Sequence, residues 1–163
     1  DSLKIEGRLK TEYYVASIVN IYRNAIDDYK KDPTHYDAEK YMKEIEKIKT
    51  RELTTFYFND RKNTDIQEYD GHQYNEKYQF GGKIVGYDGE KAIIDIRNRL
   101  QVGDTLEILV PNQLEAVEFE IDKLWDFDTN TEIDAVSPGV KDQKVKMILP
   151  FECKKDWIIR RKK

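Results

Sequence analysis

Apolar positions follow two regimes along the chain, three- and four-residue spacing in the first third and two-residue alternation in the last half. Tyr14, Ile18, Ile21, Tyr22, Ala25 and Ile26 recur at helical spacing, Tyr29 closes the stripe, and Arg23, Asp27 and Asp28 fall opposite. This predicts an amphipathic helix of about four turns, capped at Thr11 and ended before Asp32-Pro33. A second, more charged helix follows Asp37, with Ala38, Tyr41, Met42, Ile45 and Ile48 as a narrower seam and a Lys/Glu-rich solvated face. Ahead of both, Leu3 and Ile5 alternate with Lys4 and Glu6 until Gly7 breaks the run. That reads as a strand feeding a helix, half of a β/α unit. Such a strand cannot satisfy its backbone groups alone, and the chain begins at Asp1 without an initiator Met. The expectation is the C-terminal piece of a larger protein.

Residues 53–76 are irregular and read as a connector with one short aromatic strand at Thr54-Thr55-Phe56-Tyr57-Phe58. From Tyr78 onward, strand-like alternation is broken by turn signals at intervals of roughly ten residues, the pattern of a small antiparallel barrel or sandwich. Phe80 to Tyr87 and Ala92 to Ile96 flank Asp88-Gly89, a hairpin turn pair. Leu106, Ile108 and Val110 face inward after a Gly103-Asp104 turn. Val117, Phe119 and Ile121 alternate with Glu118, Glu120 and Asp122 as a strand buried on one face. Ile133 with Ala135, then Val145, Met147 and Leu149, then Trp157 and Ile159 complete a set of roughly six or seven strands. Gly81, Gly82 and Gly86 interrupt a strand pattern, where glycine marks bulges and bends. The fold class is therefore α+β: a helical segment over 1–52, a connector over 53–76, and an antiparallel β-barrel over 77–163.

Composition narrows this reading. The 163 residues carry a net charge of −4, with 39% hydrophobic, 37% charged and 12% aromatic residues, which is too aromatic for a disordered chain. No apolar run approaches the roughly 20 residues that span a bilayer, and no leader pattern is present, so a cytoplasmic setting is expected. Cys153 stands alone, which excludes an internal disulfide or a thiolate metal site.

The opening Asp-Ser-Leu-Lys-Ile-Glu-Gly-Arg-Leu-Lys, with Tyr13-Tyr14-Val15-Ala16 and Tyr22-Arg23-Asn24-Ala25-Ile26-Asp27, resembles the end of the catalytic barrel in the collagenase-like peptidases of the U-32 group. The resemblance continues through Arg51-Glu52-Leu53-Thr54-Thr55-Phe56-Tyr57, Phe80-Gly81-Gly82-Lys83-Ile84-Val85, Ile96-Arg97-Asn98-Arg99 and Val102-Gly103-Asp104. It departs at Thr50 and Phe56, where the family often has His and Gly. It implies a parent α/β barrel ending near residue 52, followed by a C-terminal β-barrel. Some relatives are described as proteases. Others resemble prephenate-dependent tRNA or rRNA hydroxylases holding an iron–sulfur cluster on four upstream cysteines, none of which Cys153 matches. Lys4, Glu6 and Arg8 would then belong to the active-site wall of the parent.

Read from the residues, Lys4 and Glu6 share one side of a strand, with Arg8 at its mouth; they could hold an anionic substrate, or form a structural ion pair. Asp126, Asp128, Asn130 and Glu132 open like a calcium loop but lack Gly at position six and Glu at position twelve, which favours an acidic hairpin turn. His35 and His72 read as surface histidines, and Cys153 as a small residue without a partnered base. Arg97, Arg99, Arg160 and Arg161, with the lysines of the C-terminus, are the candidate nucleic-acid contacts, although the overall charge is acidic. The expected function is a non-catalytic accessory domain of a U-32-type enzyme, peptidase or hydroxylase, that positions tRNA or rRNA over the catalytic barrel. The alternatives are a module for protein substrates such as collagen, and a purely structural cap. Expected partners are that barrel, the substrate and, through the apolar first helix, a second copy.

Overall fold

In the computed structural model, residues 2–48, 77–139 and 143–163 are described. Helix α1 (Glu12–Lys31) begins where Thr11 Oγ1 accepts the Tyr14 N–H, with Glu12 in the first turn and Lys30 and Lys31 in the last, each matched to the helix dipole. It stops at Asp32 because Pro33 cannot continue the ladder. The expected second helix is shorter: α2 (Glu39–Ile45) covers 7 residues and relaxes into a turn that carries Ile48 inward. Ile18, Ile21, Tyr41 and Ile48 close a small core between the helices, joined by Leu114 from the β region. The stripe on α1 thus finds its partner in α2, while Val15, Val19, Tyr22 and Tyr29 remain at the surface.

Ten strands follow: β1 (Tyr78–Asp88), β2 (Lys91–Ile96), β3 (Leu100–Gln101), β4 (Thr105–Leu109), β5 (Val117–Glu120), β6 (Leu124–Asp126), β7 (Glu132–Ile133), β8 (Ala135–Val136), β9 (Lys144–Met147) and β10 (Ile158–Lys162). Eight form an antiparallel sheet in the order β5-β4-β10-β1-β2-β9-β6-β7, and β3 pairs with β8. The sheet curls into a half-barrel around Ile84, Ile94, Leu100, Leu106, Ile108, Ile121, Leu124, Val145, Met147 and Ile159. Its two edges are stitched by residues 102–104: Gly103 N donates to Ile121 O, Ile121 N to Asp104 O, and Val102 N to Asp134 O. The predicted barrel is realised in this form.

Curling has a local cause. Register slips between Phe80 and Gly82 on the β10 side of β1, and between Ile84 and Gly86 on the β2 side. A Cβ on Gly82 would lie 2.6 Å from the Asp95 carbonyl oxygen, so only glycine permits the strands to approach that closely. Asp88-Gly89 makes the hairpin turn as expected, with Gly89 at φ +61°. β5 departs from the sequence reading: Val117 and Phe119 are only half-buried, because β5 is an edge strand flanking the core.

The opening stretch, expected as a strand without neighbours of its own, is not formed as one. Residues 2–6 form no strand, and Leu3 and Ile5 are exposed, since no neighbouring strand is available to pair their backbone. The connector over 53–76, its aromatic strand and His72 lie outside the described residues.

Candidate nucleic-acid interface

The outer face of the sheet has two halves, separated by period-2 alternation. On β4 and β10, Leu106, Ile108 and Ile159 point into the core, so Glu107 and Arg160, paired in register, point out toward the helices. There Arg160 is 0% exposed. Its Nε donates to Glu107 Oε2 at 2.7 Å and its Nη2 to Glu44 Oε2 at 2.9 Å on α2. Lys47 Nζ pairs with Glu44 Oε1 at 2.6 Å and lies 3.8 Å from Glu107 Oε2, giving two cations and two carboxylates. The Arg160 guanidinium also lies 4.9 Å from the Tyr78 ring centroid, while its Nη1 has no partner. Burial, reinforced by Glu107, pushes the Tyr78 phenol up to about 12. Tyr13 of α1 stacks on Phe80 at 5.8 Å and donates to Lys47 O, and Lys83 pairs with Glu12 at 2.9 Å. This half is a joint between helices and sheet built around a buried guanidinium, whose Nη1 alone is left without a partner.

Arg160 is therefore removed from the expected nucleic-acid contacts, because neighbouring strand residues face opposite ways and Arg160 takes the helix-covered side. The other three are brought together. Arg161 Nη1 donates to Arg99 O at 2.8 Å and pairs with Asp104 Oδ2 at 3.2 Å. Arg97 Nη2 pairs with Asp95 Oδ2 at 3.0 Å, and its N–H donates to Gly81 O. Asn98 Nδ2 fastens the same turn to Phe80 O. Arg97 and Arg99 are exposed at this end of the sheet, with Arg161 behind them.

Other candidates are dispersed. Lys4, Glu6 and Arg8 are exposed, with Glu6 Oε1 accepting the Arg8 N–H, and Lys4 forms no salt bridge among the described residues. The acidic stretch after Trp125 is the turn of the β6–β7 hairpin: Asp126 Oδ1 accepts from the N–H groups of Asp128 and Thr129, which hold its carboxyl below the usual range. His35 sits at the surface against Asp32. Cys153 is buried, and burial pushes its thiol up to about 11, so it does not suit nucleophilic attack. Among the described residues no group of three or more His, Cys, Asp or Glu is placed to hold a metal, and no helix is long and apolar enough to cross a membrane.

Sequence reasoning missed the second half of the outer face. On β2, β9 and β6, Ile93, Lys146 and Trp125 stand in register, flanked by Lys91 and Lys144 on the same face, and no helix among the described residues covers them. Lys91 Nζ lies 4.1 Å from the Trp125 ring centroid, and Lys144 and Lys146 lie 5.2 and 5.5 Å from that of Phe127. The alternation was readable in each strand, but the order that puts β9 between β2 and β6 was not.

The sequence model for peptidase family U32 matches residues 1–68, and that for the peptidase family U32 C-terminal domain matches residues 76–160. The chain belongs to peptidase family U32. The U32 chain is 33% identical over 150 residues to tRNA hydroxylation protein P1 of Bacillus subtilis, covering 90% of this chain and 35% of that protein. It is 37% identical over 115 residues to an uncharacterized protease of Methanocaldococcus jannaschii, covering 67% of this chain and 28% of that one. The crystal structure of the C-terminal domain of a U32 peptidase from Geobacillus thermoleovorans aligns with 52% of this chain and 93% of its own, at 30% identity and a TM-score of 0.45. The chain thus spans about a third of the length of the curated relatives it matches.

Proposed function

We propose that this chain is the non-catalytic accessory part of a U32 enzyme and that its β region holds RNA, a tRNA in the first instance, for a catalytic unit docked along α1. The observation that carries the reading is the convergence of Arg97, Arg99 and Arg161 at one end of the sheet, with Arg97 and Arg99 exposed, although the chain as a whole is acidic. Guanidinium groups on a rigid turn suit phosphate oxygens, for which their planar forks are matched. The similarity to a protein named for tRNA hydroxylation supports the same substrate class. No nucleophile–base pair stands among the described residues, so chemistry would be supplied by the partner unit. Val15 and Val19 on α1, with Leu109 and Pro111, line a groove of about 760 Å³ along which that unit would dock. A lone, buried Cys153 accords with a cytoplasmic setting.

The test is binding of labelled tRNA to the 163-residue chain over a salt series. Affinity should fall steeply with salt, and Arg97→Ala with Arg99→Ala should reduce the logarithmic slope by roughly 1 to 2. Absence of binding at low ionic strength overturns the reading. Retention on gelatin in place of tRNA would favour a protein-substrate module, the reading to which the similarity with an uncharacterized protease points.

A further inference from the structure

The bare half of the sheet differs from the arginine cluster in kind, since it couples cations to flat aromatic rings. We propose that the outer face of β2, β9 and β6 is a stacking platform for unpaired RNA nucleotides, with Trp125 and Phe127 receiving bases and Lys91 and Lys144 receiving phosphates. This deepens the RNA reading above and rests on it.

The division of labour among the lysines supports the assignment. Lys146 is buried and neutralised by Asp88 at 2.7 Å, whose carboxyl it holds below the usual range; it serves as a strut under Phe127. Lys91 and Lys144 make no salt bridge among the described residues. Lys91 reaches the Asn130 side-chain oxygen, at 3.3 Å, and the face of Trp125, with Asp88 close enough to feel its charge. Of the nearby carboxylates, Glu132 pairs with Lys123, Asp126 accepts from the N–H groups of its own turn, and Asp95, in register with Lys144, gives one oxygen to Arg97. The surface therefore offers two cations outside any salt bridge among the described residues, beside two half-buried rings. Phosphate can draw each ammonium off its ring, and a base can take its place on the ring face, since every nucleobase presents a π surface. A flat sheet face reaches such bases only where they are unstacked, which selects loops and single strands over an A-form duplex.

The chain contains Trp125 and Trp157 as its two tryptophans, so a Trp157→Phe background makes Trp125 the sole indole reporter. Oligouridine should quench its emission saturably at low salt, whereas duplex RNA of equal length should not. Anisotropy of labelled oligouridine, measured in the unaltered background as well, should show Trp125→Ala with Phe127→Ala losing roughly tenfold or more in affinity at an unchanged salt slope. Lys91→Ala with Lys144→Ala should instead lower that slope by roughly 1 to 2. If tRNA binds while Trp125 emission and the affinity of the ring variant both stay unchanged, the platform is overturned and the arginine-cluster reading survives. Equal binding of duplex and single strand without quenching overturns the platform as well. Failure of every RNA to bind by anisotropy overturns both.

Discussion

On β4 and β10 the outward positions are capped by helices, whereas on β2, β9 and β6 no helix among the described residues caps them, and the same residue types behave differently on the two sides. Arg160 and Lys146 are both buried cations paired to carboxylates. Arg160 ties two elements together across a buried seam, and removing it would leave Glu44 and Glu107 facing each other with Lys47 as their remaining cation. Lys146 leans on Asp88, which is largely exposed and can be rehydrated. Burial of the partner, more than that of the cation, decides what such a pair is worth.

The sharpest way to break the contrast is Arg160→Ala, expected to destabilise the chain by about 3–5 kcal/mol in urea unfolding, because two buried carboxylates lose the guanidinium between them and are left to share Lys47. A loss under about 1 kcal/mol would show the covered half to be as solvated as the bare one. Next in size is Gly82→Ala, about 2 kcal/mol or more, since its Cβ would meet the Asp95 carbonyl oxygen at 2.6 Å. Alkaline pH should act through the covered and core groups. Tyr78 and Cys153 are held protonated to about 12 and about 11 in the folded chain, against ordinary values of 10.0 and 9.0. Their contribution is full below pH 9 and is lost as pH rises toward 12, because the unfolded chain releases these protons first. Thermal melting of Tyr78→Phe with Cys153→Ala should therefore show a shallower alkaline decline, and an unchanged decline would refute the assignment. The smallest effect belongs to the bare half: Lys144→Ala should change stability by no more than about 0.5 kcal/mol, checked by the same melts.

Much of this was legible in the residues. Thr11 and Pro33 bounded α1, Asp88-Gly89 fixed the first hairpin, and the glycines of β1 marked its bulges, because each acts through local backbone geometry. Glu44 was not legible. It sits within a Lys/Glu-rich helix face that reads as solvated, and only the arrival of β10 from 116 residues away makes it buried. Arg160 could have been separated from Arg161 by alternation alone, but which of the two faces a helix depends on how the sheet is ordered. The stacking rings escaped notice for the same reason, since Trp125 and the lysines beside it meet only through a non-sequential strand order.

The Arg160 joint has a mechanical consequence. β10 commits one face to the barrel core and the other to the helices, so sliding or rotating α1 and α2 across the sheet requires drawing a guanidinium out of its carboxylates. At a cost of about 3 kcal/mol or more, fewer than roughly one molecule in 150 would be so displaced. Helices and sheet then behave as one stiff arm. In the proposed assembly, a catalytic unit docked on α1 would then stand at a constant distance from RNA resting on Trp125, with the chain as the ruler between the two.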